Sequence, residues 1–406
     1  MNSSLADLRL GVISCVVAAR NERGQLLCNH SMGRLIDRFR ELVPQTRLCV
    51  PVASKLDRSM NYELSLPRED VTELPPLSSV ARSQLYYLPT WRTVRKFVKT
   101  VDALFIRVPF QLPSTLLGLN KPKLVHVVSN PYQIISASSD YRGLRRLLAL
   151  RYAAFANLAI RRMAAEPMTR VATNGREMWD LLDCREGRVV VSSCIYEREM
   201  RPREDLGLGD PPRILFVGYL RPEKGVDYLL DAFEALRRKR PLKLTLVGGS
   251  DRVTNAEARI HERIRHSPFR DDITLAGMLD FGEPLFEMYR SHDVYVLPSL
   301  SEGTPRTLVE ARSFGCPVVA TRAGGIPSSV DDGKNGLLVE PRDAASLGAA
   351  IERLLDDESL RRRLIEEGVR SARSHSLEGF ADELLEEVAL VAGGSIGGPV
   401  LEQVHR

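Results

Sequence analysis

Short apolar runs alternate with stretches of helical periodicity along most of the chain. In the first half, apolar runs typical of buried strands lie at residues 10–17, 47–52, 103–108, 124–128, 170–173 and 189–192. Helical periodicity separates them, for example at residues 32–42 and 141–163. Strands that alternate with helices are typical of parallel sheets covered by helices on both faces. The pattern therefore predicts an α/β fold.

Residues 201–212 interrupt this alternation, because they lack apolar periodicity and are rich in proline, glycine and charge. Such a composition predicts a linker. A second series of apolar runs follows it, at residues 213–217, 243–247, 273–276, 294–297, 317–320 and 336–339. We predict two Rossmann-like domains that face a cleft, where the carboxyl ends of their strands form the usual place for a nucleotide.

The predicted domain boundaries follow from this linker. Residues 1–200 form one predicted domain and residues 213–375 form the other. The remaining residues, 376–406, form a C-terminal helix, with an amphipathic stretch at 377–390, and a frayed tail.

Composition narrows the protein class. A chain of 406 residues that is 44% hydrophobic can bury two cores of ordinary size. Its longest apolar run, at residues 10–19, is shorter than the roughly 18 to 20 residues of a membrane-spanning helix. Asp7 and the single basic residue Arg9 before that run favour a first strand over a secretion signal. The six cysteines occur singly, which is typical of reduced core thiols and predicts a cytoplasmic location.

Charge is divided unevenly between the halves. Residues 1–200 hold 29 Lys and Arg against 18 Asp and Glu, whereas the rest hold 28 against 34. A basic half attracts nucleic acid, anionic lipid or a phosphorylated substrate, and no RNA-binding signature supports the first. Arginines recur at residues 141–163, and residues 91–99 form a second basic patch. These stretches either pack on the sheet or attach to the inner face of an anionic membrane.

The most informative local segment contains two glutamates that flank a predicted helix start. Glu302 precedes a turn at Gly303, Pro305 opens the helix, and Glu310 lies about two turns inside it. The first-turn N–H groups of residues 304–307 lack intrahelical partners and can hold a diphosphate. Two carboxylates at a fixed separation can accept hydrogen bonds from both ends of a nucleotide sugar. The alternative interpretation is a surface helix with two glutamates.

A second segment places cations on a loop between a strand and a helix. Gly218 follows the strand at 213–217, and Arg221 and Lys224 precede a helix at 226–236. Cations there can neutralise a departing diphosphate without a metal ion. Solvated loop charges are the alternative, and the spacing excludes a Walker-type phosphate loop.

Residues 213–355, in this order and spacing, resemble the C-terminal domain of the family 4 retaining glycosyltransferases (group 1). That family includes sucrose-phosphate synthases, mannosyltransferases and lipopolysaccharide glycosyltransferases. The matching residues are Glu302 and Glu310 in its Glu-x7-Glu motif and Gly218, Lys224 and Gly225 in its phosphate loop. The resemblance implies the GT-B fold, no required metal or cofactor, and transfer with retention of anomeric configuration. It also implies that residues 1–200 bind the acceptor, that residues 213–375 bind the nucleotide sugar, and that the helix at 377–390 returns to the N-terminal domain.

The resemblance also implies a role for each matched residue. Glu302 meets the donor sugar, Glu310 holds the ribose hydroxyls and Lys224 holds the diphosphate. Tyr219 stands where the family usually has an arginine, so the second positive charge is assigned to Arg221. The donor-binding set implied by the resemblance is completed by Gly218, Gly303, Thr304, Pro305, Arg306 and Thr307.

The N-terminal half departs from the family in two places. The chain has Ala-Arg-Asn-Glu-Arg-Gly at residues 19–24, where the family has a Gly-Gly loop. Asn130 stands roughly where a sugar-facing histidine is common, and His126 lies inside the preceding strand. Both are candidates to contact the sugar or the acceptor, and a core histidine is the alternative for His126.

Together these features predict an enzyme, a hexosyltransferase that uses a nucleoside diphosphate sugar as donor. The acceptor is a glycan, a lipid-linked molecule or a small molecule. One alternative is a nucleotide-sugar epimerase or isomerase on the same fold, which would act without an acceptor. Another is an inactive nucleotide-sugar-binding homologue, which Tyr219 and the missing Gly-Gly loop favour and the presence of Glu302, Glu310 and Lys224 argues against.

Overall fold

The N-terminal half is built on one large sheet. The structure, a computed structural model, describes residues 5–77, 83–137, 142–249 and 255–393. The strands before the linker are β1 (Leu10–Ile13), β2 (Ala18–Arg20), β3 (Leu26–Cys28), β4 (Arg47–Ala53), β5 (Tyr62–Glu63), β6 (Val71–Leu74), β7 (Ala103–Val108), β8 (Lys123–Val127), β9 (Thr169–Asn174) and β10 (Gly187–Val190). The helices are α1 (His30–Leu42), α2 (Tyr87–Val98), α3 (Pro131–Ala137), α4 (Gly143–Ala164) and α5 (Arg176–Leu181).

The central strands of this sheet are parallel and doubly wound. β1 pairs with β4 on one side and with β7 on the other, and β6 extends the sheet beyond β4. On the far side β8, β9 and β10 follow β7 in order. Because the chain winds outward from β1 in both directions, a crevice opens at the carboxyl ends of the strands on either side of β1.

The C-terminal half carries a second parallel sheet. Its strands are β11 (Arg213–Val217), β12 (Lys243–Val247), β13 (Ile273–Gly277), β14 (Val294–Leu297), β15 (Val318–Thr321) and β16 (Leu337–Val339). Its helices are α6 (Val226–Arg237), α7 (Asn255–Arg265), α8 (Glu283–Ser291), α9 (Arg306–Ser313), α10 (Ala344–Asp356) and α11 (Glu358–Ser374), and α12 (Leu377–Ala392) follows them. The strand order β13-β12-β11-β14-β15-β16 is the order of the dinucleotide-binding Rossmann fold.

The last helix, α12, packs on the N-terminal sheet. It contacts α1 and the strands β7, β8, β9 and β10. Its apolar side chains, among them Phe380 and Leu384, join the same buried cluster as Leu10 of β1. Glu387 of α12 is buried and accepts hydrogen bonds from the guanidinium groups of Arg170 and Arg188 on β9 and β10. The core of the N-terminal half is therefore completed by the far end of the described chain.

Residues 201–212 contain no helix or strand, and they are fastened to the C-terminal half. The Asp293 carboxylate accepts hydrogen bonds from the backbone N–H of Gly209 at 3.1 Å and of Arg213 at 2.7 Å. The backbone N–H of Arg203 donates to the carbonyl of Phe314 at 3.1 Å. These hydrogen bonds hold the linker against the C-terminal half over most of its length.

The predicted first strand, residues 10–17, is wrong at its end. β1 stops at Ile13, and the Ser14 hydroxyl accepts a hydrogen bond from the Val16 backbone N–H. β2 then pairs with β3 as a hairpin, whose turn is held by the Asn21 side chain. An unbroken apolar run carries no signal for this interruption. The hairpin occupies the place of the expected Gly-Gly loop.

Two predicted segments extend beyond the described residues. Tyr141, the first residue of the helix predicted at 141–163, lies outside them, and α4 begins at Gly143. Of the tail predicted to be frayed, residues 394–406 also lie outside. Within the described chain, none of the helices combines the length and the apolar character needed to cross a bilayer. The six cysteines are free thiols, four of them buried.

Candidate functional site

A cleft of about 560 Å³ lies between the two sheets. From the N-terminal half it is lined by the start of α1 and by residues at or just after the ends of β7 and β8. From the C-terminal half it is lined by the turns after β11 and β14 and by the start of α9. The segments that the sequence singled out therefore share one cleft, at the position expected for a ligand of doubly wound sheets.

The turn after β14 leads directly into α9, which begins at Arg306 with Pro305 at its N-cap. Proline suits a helix start because its φ is fixed near the helical value and it has no N–H to satisfy. Within the described chain, the backbone N–H groups of Arg306 and Thr307 donate no hydrogen bond. Both residues line the cleft, so the positive end of the helix dipole adjoins it.

Glu302 is held at one oxygen and open at the other. The ammonium group of Lys224 donates to its Oε1, and the Ser299 hydroxyl donates to the same atom at 2.8 Å. Oε2 has no hydrogen-bond partner among the described residues. The motif carboxylate is thus fixed in place by protein groups, and its second oxygen remains available to accept a hydrogen bond in a residue that lines the cleft.

Lys224 reaches Glu302 because the loop after β11 packs closely against the end of β14. Gly225 has a φ of +66°, and a Cβ there would lie 2.1 Å from the carbonyl oxygen of Pro298. Only glycine accommodates both the left-handed conformation and this contact. Glycine at position 225 therefore permits the ion pair between two segments that are far apart in sequence.

Glu310 lies deeper than Glu302, with only 4% of its surface exposed. The Tyr289 hydroxyl donates to its Oε2 at 2.8 Å, and the Cys194 thiol donates to its Oε1 at 3.3 Å. Burial and the nearby Glu310 carboxylate raise the pKa of Cys194, which keeps the thiol protonated as a donor. Each oxygen retains a lone pair for one further hydrogen bond.

The motif turn is also tied to the N-terminal half. The backbone N–H of Ser192 donates to Thr304 Oγ1 at 3.1 Å, and the Ser192 hydroxyl donates to the Thr304 carbonyl at 3.0 Å. A Cβ on Gly303 would lie 2.5 Å from the carbonyl oxygen of Val128, at the end of β8. The two halves therefore meet at the Glu-Gly-Thr turn.

His126 continues this connection on the N-terminal side. Asn174 donates through Nδ2 to Ser192, so its Oδ1 accepts from His126 Nε2 at 2.9 Å and the proton of the ring lies on Nε2. The ring is 2% exposed, and Nδ1 is buried without a partner in the described structure. Burial and the charge of Arg107 lower the pKa of His126 to about 3, so the ring is neutral. His126 lines the cleft.

The structure does not bring Asn130 or Arg221 to the cleft. Asn130 Oδ1 accepts hydrogen bonds from the Tyr132 backbone and from Asn157 within the N-terminal half. Arg221 is half-exposed, and its guanidinium lies 4.5 Å from the centre of the Tyr219 ring. Tyr219 itself lines the cleft. The backbone after Gly218 thus turns Arg221 outward, which loop spacing alone does not reveal.

His30 and Arg107 are two of the cleft residues that went unrecognised in the sequence. His30, the first residue of α1, stacks on Phe281 from the C-terminal half with ring centres 4.2 Å apart. Burial, with the charges of Arg306 and Arg34, lowers the pKa of His30 to about 3. Arg107 lies on β7 and faces the cleft. For His30 the sequence holds one local signal: Asn29, a residue type favoured at helix N-caps, directly precedes it and caps α1 with its side chain.

Residues 200–370 match the family described as glycosyl transferases group 1. The chain is 34% identical over 239 residues to D-inositol 3-phosphate glycosyltransferase of Acidothermus cellulolyticus, which covers 54% of this chain and 51% of that protein. The chain thus spans about half the length of the curated relatives it matches.

The fold is shared with solved glycosyltransferases over nearly the whole chain. Sucrose-phosphate synthase from Thermosynechococcus elongatus superposes with a TM-score of 0.68 at 20% identity, covering 94% of this chain and 97% of that one. Anabaena HepE in complex with UDP-glucose superposes with a TM-score of 0.65 at 16% identity, covering 95% and 99%. The predicted architecture of two Rossmann-like domains facing a cleft is confirmed.

Proposed function

We propose, on the premise that residues 200–370 belong to the glycosyl transferases group 1 family, that this chain is a retaining glycosyltransferase. It moves a hexose-type sugar from a nucleoside diphosphate to a glycan, a lipid-linked molecule or a small-molecule acceptor. One observation carries the proposal: Glu302, Lys224 and the open start of α9 meet in a single cleft.

The donor fits this cleft by charge and by hydrogen-bonding capacity. The free N–H groups of Arg306 and Thr307 and the ammonium of Lys224 suit a diphosphate. Glu302 offers its free oxygen to hydroxyls of the donor sugar. Glu310, at the other end of the motif, offers its remaining lone pairs to ribose hydroxyls.

The reaction that suits these groups needs no protein nucleophile. The acceptor hydroxyl attacks the anomeric carbon on the face from which the diphosphate departs. The bond from that carbon to the diphosphate oxygen breaks, and the hydroxyl proton passes to a diphosphate oxygen. Lys224 and the α9 N–H groups stabilise the charge that develops on the leaving group.

The donor nucleotide is identified by thermal-shift measurements with UDP, GDP and ADP and with their hexose conjugates. A ligand that binds the folded state raises Tm by mass action. The wild type should respond to one nucleotide family, and Lys224→Ala should respond much less. The matched control is Lys239→Ala, because Lys239 is exposed and pairs with Glu352 away from the cleft.

Three outcomes would overturn the proposal. The first is a wild-type protein that no nucleoside diphosphate stabilises. The second is a normal response and turnover in both Lys224→Ala and Glu302→Ala. The third is conversion of the nucleotide sugar to an isomer without an acceptor, which would make the protein an epimerase.

We further propose that the enzyme attaches peripherally to an anionic membrane in the cytoplasm. α2 and α4 both contact the 3-10 turn Pro113–Leu116. One face of α4, with Ala156 and Ile160, packs in the core. The other face of α4, and α2 with the turn before it, expose large apolar side chains. We call this region the apolar–basic surface and define it by Leu85, Tyr87, Leu88, Trp91, Leu144, Leu147, Leu148, Phe155 and Leu158.

Charge supports a lipid partner for the apolar–basic surface. Exposed cations lie among these apolar residues, at Arg92, Lys96, Lys99, Arg142, Arg145, Arg146, Arg151, Arg161 and Arg162. Neither α2 nor α4 contains an aspartate or a glutamate. Apolar side chains that enter the lipid together with cations that meet its headgroups are typical of interfacial attachment.

Co-sedimentation with phosphatidylglycerol vesicles tests the attachment. The wild type should bind and should lose binding as salt increases, because salt screens the headgroup charge. Leu144→Glu with Leu148→Glu should abolish binding, whereas Leu390→Glu, on a similarly exposed leucine of α12, should not. Absent binding, or binding that salt and the double variant leave unchanged, would refute the attachment.

A further inference from the structure

Two arginines from opposite halves of the molecule line the same cleft. Arg107 lies on β7 of the N-terminal half, and Arg306 is the first residue of α9 in the C-terminal half. They are close enough that the charge of Arg306 contributes, after burial, to a lowered pKa of Arg107. A pair of cations has thus been brought together by the approach of the two sheets.

Neither arginine has a counter-charge within the described structure. Among the residues that the structure describes, neither guanidinium group forms a hydrogen bond or an ion pair. The two motif carboxylates do not serve them, because Glu302 is engaged by Lys224 and Ser299, and Glu310 by Tyr289 and Cys194.

The other charged residues at the cleft do not pair with Arg107 or Arg306. Asp280 lines the cleft at an exposed position, and Arg58 donates to the carbonyl of Met278. The other titratable neighbours of Arg107 are Cys15 and His126. Burial raises the pKa of Cys15, so the thiol is neutral, and His126, the register partner of Arg107 on β8, is neutral as well. The space between Arg107 and Arg306 is therefore strongly positive and equipped to donate hydrogen bonds.

Such a pair is a recognition element for a dianion. Two guanidinium groups held near each other repel, and partial removal from water is unfavourable for each of them. An anion between the two groups attracts both of them and replaces hydrogen bonds lost from water. The N–H donors of each guanidinium group can bind two phosphate oxygens at once.

We propose that Arg107 and Arg306 bind a phosphate group of the acceptor, so that the enzyme glycosylates a phosphorylated substrate. This inference rests on the proposed function, in which Lys224 and the start of α9 hold the diphosphate of the donor. Every group of that donor site belongs to the C-terminal half. Arg107 belongs to the opposite wall, where the acceptor would have to lie to approach the anomeric carbon.

The test measures binding of inorganic phosphate to protein saturated with the nucleoside diphosphate that the thermal-shift panel identifies among UDP, GDP and ADP, by thermal shift at constant ionic strength. That nucleotide occupies the diphosphate site, so added phosphate reports on another site. Phosphate should stabilise the wild type further. Arg107→Met should weaken phosphate binding about tenfold or more, which is the loss of a charge-assisted bidentate contact. Arg107→Lys should retain part of the affinity, because charge remains without the fork.

Arg370→Met is the matched control. Arg370 is an exposed arginine of α11 that pairs with Glu367, and its replacement should leave both nucleotide binding and phosphate binding unchanged. Arg107→Met should remain folded, because it replaces an unpaired cation by an apolar side chain of similar length. Its Tm without ligands checks this point.

The outcomes separate the two proposals. Failure of UDP, GDP and ADP alike to bind the wild type refutes the proposed function itself. If the nucleotide that binds abolishes the effect of phosphate, or if Arg107→Met weakens nucleotide binding as much as phosphate binding, the acceptor subsite is refuted. A further comparison of glucose 6-phosphate with short-chain phosphatidic acid, each in wild type and Arg107→Met, distinguishes a free sugar phosphate from a lipid phosphate.

Discussion

Ser192 and Thr304 join the two halves of the molecule through two hydrogen bonds, one to the side chain of Thr304 and one to its carbonyl. Both residues are buried. Thr304 belongs to the turn that carries Glu302, whereas Ser192 follows the last strand of the N-terminal sheet. The position of the motif therefore depends on a residue outside its own domain.

Ser192→Ala should lower the free energy of unfolding by about 1 to 3 kcal/mol, because the Thr304 carbonyl and the Asn174 amide each lose a buried partner. It should also weaken nucleotide binding by displacing the turn. Urea unfolding and UDP titration measure the two effects. Ser374→Ala, at an exposed serine, is the control and should stay within about 0.5 kcal/mol of the wild type. Equal stability of both variants would contradict the linking role.

Lys224→Met should reduce kcat/KM by about a hundredfold to a thousandfold, the range for removal of one group that stabilises developing charge. Glu302 would also lose the cation that fixes its Oε1. Initial rates with the nucleotide sugar found by the thermal-shift panel measure the effect. Circular dichroism should show an intact fold. A reduction of less than about threefold would show that Lys224 does not stabilise the leaving diphosphate.

Arg221→Met should change kcat/KM by less than about twofold, since such small effects are typical of groups that do not contact the transition state. Arg221 stacks on Tyr219 and does not line the cleft. Parallel assays of Arg221→Met and Lys224→Met compare two cations of one loop. A large loss in Arg221→Met would restore the role assigned to it from the sequence.

Tyr289→Phe should weaken nucleotide binding, because Glu310 Oε2 loses the hydroxyl that orients it. An acceptor left unpaired in a buried site should also cost about 1 to 3 kcal/mol of stability. Isothermal titration with UDP and urea unfolding measure the two changes. Tyr228→Phe, on the neighbouring α6, serves as the control. Unchanged affinity would show that Glu310 needs no fixed orientation.

Stability should fall as the pH decreases from about 6.5 towards 3, in part through His126. Its folded pKa of about 3 lies below the ordinary 6.5, so in this window the unfolded chain binds a proton that the folded chain does not. From pH 7 to pH 5 this contributes about 2 kcal/mol of lost stability. His126→Gln should show a correspondingly smaller loss in urea unfolding. Parallel pH profiles for both proteins would contradict the buried neutral ring.

Much of the fold could be predicted because its central strands are continuous apolar runs with clear ends. The strands predicted at residues 103–108, 213–217 and 294–297 have the bounds of β7, β11 and β14. The β2–β3 hairpin could not be predicted, because the interruption after Ile13 depends on a serine hydroxyl within an apolar run. β6 pairs along the edge of β4 and is too short for its alternation to stand out.

The site divides in the same way between local and long-range information. Glu302 and Lys224 belong to segments whose turn and loop residues are visible in the sequence. Arg107 resembles any arginine on a strand until the second sheet brings Arg306 opposite it. From the sequence, Arg221 and Lys224 are equally plausible ligands of the diphosphate. Only the path of the backbone shows that Lys224 lines the cleft and Arg221 does not. Residues that act through another domain leave no local pattern.

The packing of α12 on β7 to β10 has a consequence for biosynthesis. While the ribosome is still translating the C-terminal half, the N-terminal sheet lacks the helix that covers one of its faces. Apolar residues of these strands, such as Phe105 and Leu124, then lack the cover of α12 until translation reaches the last described helix. The N-terminal domain therefore cannot complete its folding first, unlike most domains that emerge early, and should depend on chaperones during that interval.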